Sequence, residues 1–259
     1  MPALEISPEL RDLLSNPTLI GRTSSEFLRD FCACCPQIRD LRFRTYVHGS
    51  SLGKRLADKD LIASELMTRL KDTPEESIGD LWKEFVRIFK SKNKVAVSNL
   101  LAATLTHTHH EREKTFVLSN KEVVNGGIVS ICDQLANDEA LALCSGVRLE
   151  EGYVAHLPML DFACAPTIQN RNTVEAMLKT IGQTGAILES GNSFHFLGIS
   201  LLATDQWVRF MGRSLLLAPY VDIRYTGHRL IDGEALLRLF ARGKEQPAPT
   251  VKAIVNSSE

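Results

Sequence analysis

The 259-residue chain lacks several things that would have placed it quickly. No apolar run approaches the roughly 18 residues needed to span a bilayer, so a membrane protein is excluded from the reading. The opening MPALEISPELRDLL is too acidic and too interrupted for a signal peptide, and a cytoplasmic protein is expected. There is no excess of charge of one sign: 30 Lys and Arg stand against 31 Asp and Glu, a formal net charge of −1. Nothing global therefore demands a nucleic acid or a membrane surface, and any such face must come from local clustering. The cysteines lack metal-site spacing. FCACCP, with Cys32, Cys34 and Cys35, has no Cys–His pair following it, and all six cysteines read as reduced thiols. SSLGKRL, around Gly53-Lys54, lacks the spacing of a phosphate-binding P-loop.

What is present is an ordinary globular composition, 44% apolar and 24% charged, with a change of character along its length. Residues 1–112 read as a helical N-terminal region. SPELRDLLSN opens with a serine cap and Pro8 at the first helical position, and TSSEFLRDFCACC repeats a cap-then-acid pattern before Pro36. In PEESIGDLWKEFVRIF, Ile78, Leu81, Trp82, Phe85 and Phe89 share one helical face. From 113 to 245 short β-prone runs alternate with two helical stretches, NRNTVEAMLKTIGQTG and TDQWVRFMGRSLLLAP; in the second, Trp207 and Phe210 read as core. YVDIRYTG reads as a strand. Residues 246–259 are expected to lie over the surface. This order predicts an α+β fold, a mostly antiparallel sheet with helices packed on it.

Three segments place polar groups at the ends of apolar strands. In HLPMLDFACAP, Asp161 interrupts an apolar run and has to be paired, neutralised or bound to a cation; an arginine partner or a helix cap would satisfy it equally. In ESGNSFHFLG, Ser193 and His195 share a strand face, after a Ser190-Gly191-Asn192 elbow able to turn amides toward a ligand. The alternative is a satisfied core histidine. In PYVDIRYTGHRL, Asp222 and Arg224 fall two apart, with His228 and Arg229 following; a surface ion pair and a metal carboxylate beside phosphate-holding cations both fit.

The series Asp, then Ser-x-His, then apolar-Asp, each at a strand end, resembles the archaeo-eukaryotic primase superfamily, the primase–polymerases, over roughly residues 139 to 242. The resemblance implies a primase-like (RRM-like) fold. It implies that Asp161 and Asp222 are catalytic metal ligands for Mg²⁺ or Mn²⁺. It also implies that Ser190, Gly191, Ser193, His195, Arg224, His228 and Arg229 hold a nucleoside triphosphate. An active member would be a divalent-metal-dependent nucleotidyltransferase of the primase–polymerase type. A catalytically inactive relative would act as a nucleotide sensor or as a nucleic-acid-binding or adaptor subunit in a DNA-handling or defence system. One departure bears on that choice: where the family carries a second acid two residues after the first, this chain has Ala163.

Outside these motifs, THTHHERE (His107, His109, His110, Glu111) reads as a helix end fraying into solvent, with a transition-metal site as the alternative. WKEFVRIFKSKNK carries five basic residues against one acid between 83 and 94. Lys83, Arg87 and Lys90, joined by Arg42 and Arg44, form the candidate contact for a DNA or RNA backbone, a solvated helix face being the alternative. The N-terminal helices are the candidate surface for a protein partner.

Overall fold

The computed structural model describes residues 7–47, 113–241 and 247–257. These fall almost wholly in one compact unit built from residues 1–46 and 112–259. The basic segment 83–94 and the His107–Glu111 cluster lie outside the described residues, as do Ile78 to Phe89.

The local signals read from the sequence account for most element starts. Helix α1 (Pro8–Leu14) is capped by the Ser7 hydroxyl, with Pro8 at its first turn. Helix α2 (Ser24–Ala33) begins with a full capping box: the Thr23 side chain accepts from the Glu26 amide while the Glu26 carboxylate accepts from the Thr23 amide. The chain then enters strand β1 (Ile38–Val47), so the N-terminal region expected to be helical contributes a ten-residue strand. Its apolar residues alternate in IRDLRFRTYV, which is the strand signal that the surrounding helices obscured.

The remaining described elements are β2 (Thr115–Ser119), α3 (Asn120–Val124), α4 (Gly127–Cys132), β3 (Glu139–Leu149), β4 (Val154–His156), β5 (Met159–Asp161), α5 (Ile168–Thr180), β6 (Gly185–Glu189), β7 (Phe194–Gly198), α6 (Thr204–Ser214), α7 (Ile223–Asp232), β8 (Leu236–Ala241) and β9 (Thr250–Val255). They build two sheets. In the first the order is β2-β1-β3-β4, and β8 pairs with residues 140–144 of β3, beside the stretch 146–148 that pairs with β4. The second, β5-β7-β6-β9, is antiparallel throughout. The fold is α+β with antiparallel sheets and helices, as expected, although the single sheet of the sequence reading is two.

The other corrections are local. The tail is not a surface drape: β9 pairs with β6 and buries Val251 and Val255 completely. YVDIRYTG is not a strand; Asp222 caps α7, which runs to Asp232 and ends at Gly233 in the left-handed conformation. One continuous apolar core runs from Phe27, Phe31 and Ile38 through Leu141, Phe162 and Phe196 to Trp207 and Val255. Trp207 and Phe210 are buried in it, as read. All six cysteines are free. No helix among the described residues is long and apolar enough to cross a membrane.

Candidate functional site

The pairing of β5 with β7 sets the centre of the site. Asp161 and His195 are partners in the antiparallel register, so their side chains stand together, with His195 Nε2 3.6 Å from Asp161 Oδ1. That separation is too long for a hydrogen bond. Beyond Asp161 the chain stays extended and pairs with the segment leading into α7. The Ala163 amide donates to the Tyr220 carbonyl, Phe162 bridges Val221, and the Asp222 amide donates to the Asp161 carbonyl at 2.9 Å. Asp161, His195 and Asp222, 61 residues apart in the chain at most, are thus brought to one corner.

The two acids do different work there. Asp222 Oδ1 accepts from the Arg224 amide at 2.8 Å and the Tyr225 amide at 2.9 Å, the N-cap of α7. Asp161 has no such support: its Oδ1 is sealed from solvent and accepts no hydrogen bond. Its side chain as a whole remains 29% exposed. Burial, then the negative charge of Asp222, push the Asp161 carboxyl up to about 8; Arg238 opposes the rise. His195, 8% exposed, is held neutral, pushed down to about 3 by burial and then by Arg238. Its Nδ1 is also buried without a partner. A neutral imidazole brings hydrogen-bonding capacity to a ligand but no charge.

The elbow is the turn of the β6–β7 hairpin. The Ser190 amide donates to the Ser193 carbonyl at 2.9 Å, and the two hydroxyls lie 3.1 Å apart. Gly191, at φ +103°, supplies the left-handed residue that the turn requires. The Ser190 amide and both serine hydroxyls are therefore engaged within the turn. On α7, Arg229 is buried, ion-paired with Asp232 at 3.3 Å and stacked over the Tyr225 ring. Arg224 and His228 are half-buried on the same helix. Arg224 is not two along a strand from Asp222, as read, but in the first helical turn, where its amide completes the cap. Arg42 and Arg44 share a face of β1 and both ion-pair with Glu234, the latter at 3.6 Å.

Two groups escaped the sequence reading. Arg238 on β8 is 7% exposed; one of its terminal nitrogens donates to the Ser190 carbonyl and the other to the Pro247 carbonyl. Tyr46, near the end of β1, is pushed up to about 12 by burial and feels Arg238, Asp161 and Arg229. An arginine in ALLRLFA alternates out of an apolar strand, a signal of the same kind as Asp161. Tyr46 carried no local signal, because only the pairing of β1 into the sheet places it there.

The residues present do not fit a two-cation centre. Such a centre needs bridging carboxylates that hold two ions about 4 Å apart. On the extended segment after β5 the position that shares a face with Asp161 is Ala163. Asp222 has one oxygen committed to two amides. Among the described residues, no three His, Cys, Asp or Glu side chains come together as a metal-binding group.

Comparison with known proteins agrees with the fold class. No curated protein and no solved structure matches the chain significantly. One family model does, AEP-like, archaeo-eukaryotic primase 1D-like, over residues 119–250, which contain the Asp161 strand, the elbow, His195, Asp222 and Arg238. The match covers just over half of the sequence, and the chain therefore belongs to the AEP-like family of archaeo-eukaryotic primase 1D-like proteins.

Proposed function

We infer that this primase-like protein binds a nucleoside triphosphate, together with nucleic acid, in the corner formed by Asp161, His195, Asp222 and the elbow, and that it does not polymerise. The observation that carries the reading is Ala163. It removes the second carboxylate from the face that would hold two ions, while Asp161 Oδ1 and His195 Nδ1 stay buried and unpartnered. Buried polar atoms without partners cost stability and are retained where a ligand completes them. The neighbouring Tyr46, Arg229 and Arg238 add polar and charged groups beside an otherwise apolar core.

The family's cofactor, Mg²⁺ or Mn²⁺, would enter this site as a single ion carried by the triphosphate. A second reading, nucleotidyl transfer, draws on the retention of Asp161, Asp222 and the Ser-x-His strand together. Calorimetric titration with the common ribo- and deoxyribonucleoside triphosphates, with and without Mg²⁺ or Mn²⁺, tests binding. Primer extension and de novo synthesis test chemistry. Binding without incorporation is the expected result. Incorporation that disappears in Asp161→Ala would replace it with the transferase reading.

A further inference from the structure

Arg238 differs from the other arginines around the corner in what balances its charge. Arg229 has Asp232, and Arg42 and Arg44 have Glu234. Arg238 is more than nine-tenths buried, yet no carboxylate of the described residues ion-pairs with it. Its partners are two neutral carbonyls, those of Ser190 and Pro247. A guanidinium offers more donors than these two bonds engage. A buried cation that lacks a counter-ion is costly, so the site calls for an anion.

The position of Arg238 says where that anion would sit. Its bond to the Ser190 carbonyl fixes it against the elbow. There Gly191 and Asn192 turn the chain through a left-handed residue, and their amides carry no hydrogen bond among the described residues. The charge of Arg238 is felt by Asp161, by His195 and by Tyr46, so it lies within the same corner as the acid and the imidazole. The corner also lacks the carboxylate pair that elsewhere recruits a second cation. It carries a fixed protein cation instead.

We propose that Arg238 supplies the positive charge that a second divalent ion would otherwise bring, so that this chain holds the phosphates of a nucleoside triphosphate through the Arg238 guanidinium even when no divalent cation is present. The inference rests on the nucleotide reading above and extends it to the way charge is matched. Asp161 and Asp222 then lie beside the bound phosphates, and the elbow amides give the phosphate oxygens further donors.

The test is binding in excess EDTA. Wild-type protein is expected to bind a triphosphate in EDTA within about tenfold of its affinity in Mg²⁺, the loss that one charge-assisted contact represents. Inorganic tripolyphosphate should displace the nucleotide under the same conditions, and the free nucleoside should not. Arg238→Gln should lose at least about tenfold in EDTA, and Arg238→Lys should retain part of the affinity, because it keeps the charge without the fork. Arg238 also ties the elbow to Pro247, so the Gln variant is read only if its circular dichroism and melting match the parent. If it fails to fold, the Lys variant and the tripolyphosphate competition on the wild type decide. Binding that is present in Mg²⁺ but abolished by EDTA, or equal affinity of all three proteins in EDTA, overturns the inference and leaves the nucleotide reading standing. No binding under either condition overturns both.

Discussion

His156 and His195 invite comparison, since both are buried histidines on short strands, 5% and 8% exposed, and both are held neutral by desolvation. His156 is fully accommodated. Its ring stacks on Trp207 at 4.8 Å, and its Nδ1 lies 3.3 Å from the Ser145 hydroxyl, which in turn accepts from the Ala235 amide. His195 has an unpartnered Nδ1 and faces an acid across 3.6 Å that it does not hydrogen-bond. Burial is thus no guide to role here. What separates the two rings is the satisfaction of their polar atoms, His156 being partnered where His195 Nδ1 is not.

The largest effect should come from breaking the packed partner. His156→Ala removes a ring from a filled core and leaves Ser145 without its contact, a loss of about 3 kcal/mol by analogy with other large-to-small core changes. Chemical denaturation measures it, and nucleotide binding by the folded fraction should be unchanged. His195→Leu removes an unsatisfied polar ring and is expected to leave stability within about 1 kcal/mol of the parent. Triphosphate binding, by calorimetry, should fall by about tenfold or more. If the two variants behaved alike in both assays, the contrast between the histidines would be void.

The two acids give a comparison of middle size. Asp222→Ala should lose about 1 kcal/mol through the cap of α7, and Asp222→Asn, which can still accept at that position, should recover most of it. Asp161→Asn replaces a carboxyl whose charged form burial disfavours, and should be neutral or stabilising at pH 8. Urea denaturation of the three variants ranks them directly. A loss in Asp161→Asn as large as that in Asp222→Ala would mean that Asp161 is a structural partner after all.

These contrasts also show what a sequence can and cannot carry. The helix caps at Ser7 and Thr23, the β6–β7 hairpin and the β5 strand end are written locally, in turn residues and in alternation, and they were legible. Of the series Asp161, Ser193, His195 and Asp222, the first and third fall on paired strands, whereas Ser193 lies in the hairpin turn and Asp222 caps a helix instead of ending a strand. The start of α7 was misread. Tyr220, Val221, Ile223 and Tyr225 are β-prone and alternate with polar residues, and that pattern outweighed an aspartate cap with a glycine stop eleven residues on. The tail was misread for the opposite reason: the prolines before it suggested a loop, whereas pairing with β6 made TVKAIV a strand. Tyr46 and the unbalanced charge of Arg238 depend on which strands meet, and no local pattern records that.

The smallest effect, and the one that sharpens the histidine comparison most, is the dependence of stability on pH. A histidine kept neutral in the fold takes up its proton more readily in the unfolded chain, so stability is lost as pH falls below about 6.5. An acid held protonated in the fold acts the other way, and its contribution is lost as pH rises toward the folded value. At the corner the two oppose each other. Asp161, with its carboxyl pushed up to about 8, binds a proton in the fold that the unfolded chain has released, while His195, pushed down to about 3, lacks one that the unfolded chain binds. From about pH 4.5 to 6 their slopes nearly cancel. His156 has no acid across from it, and its second electrostatic influence, Arg42, is itself a cation that disfavours the charged ring. Within that window His156 alone of these three groups should therefore leave a net slope, at most about 1.4 kcal/mol per pH unit, whereas above about pH 6.5 Asp161 adds a slope of the opposite sign. Urea denaturation at a series of pH values from about 6 to about 4.5 should show His156→Gln flattening that acid-side loss. His195→Gln should make the remaining protein more stable toward acid, because it leaves the Asp161 term unopposed.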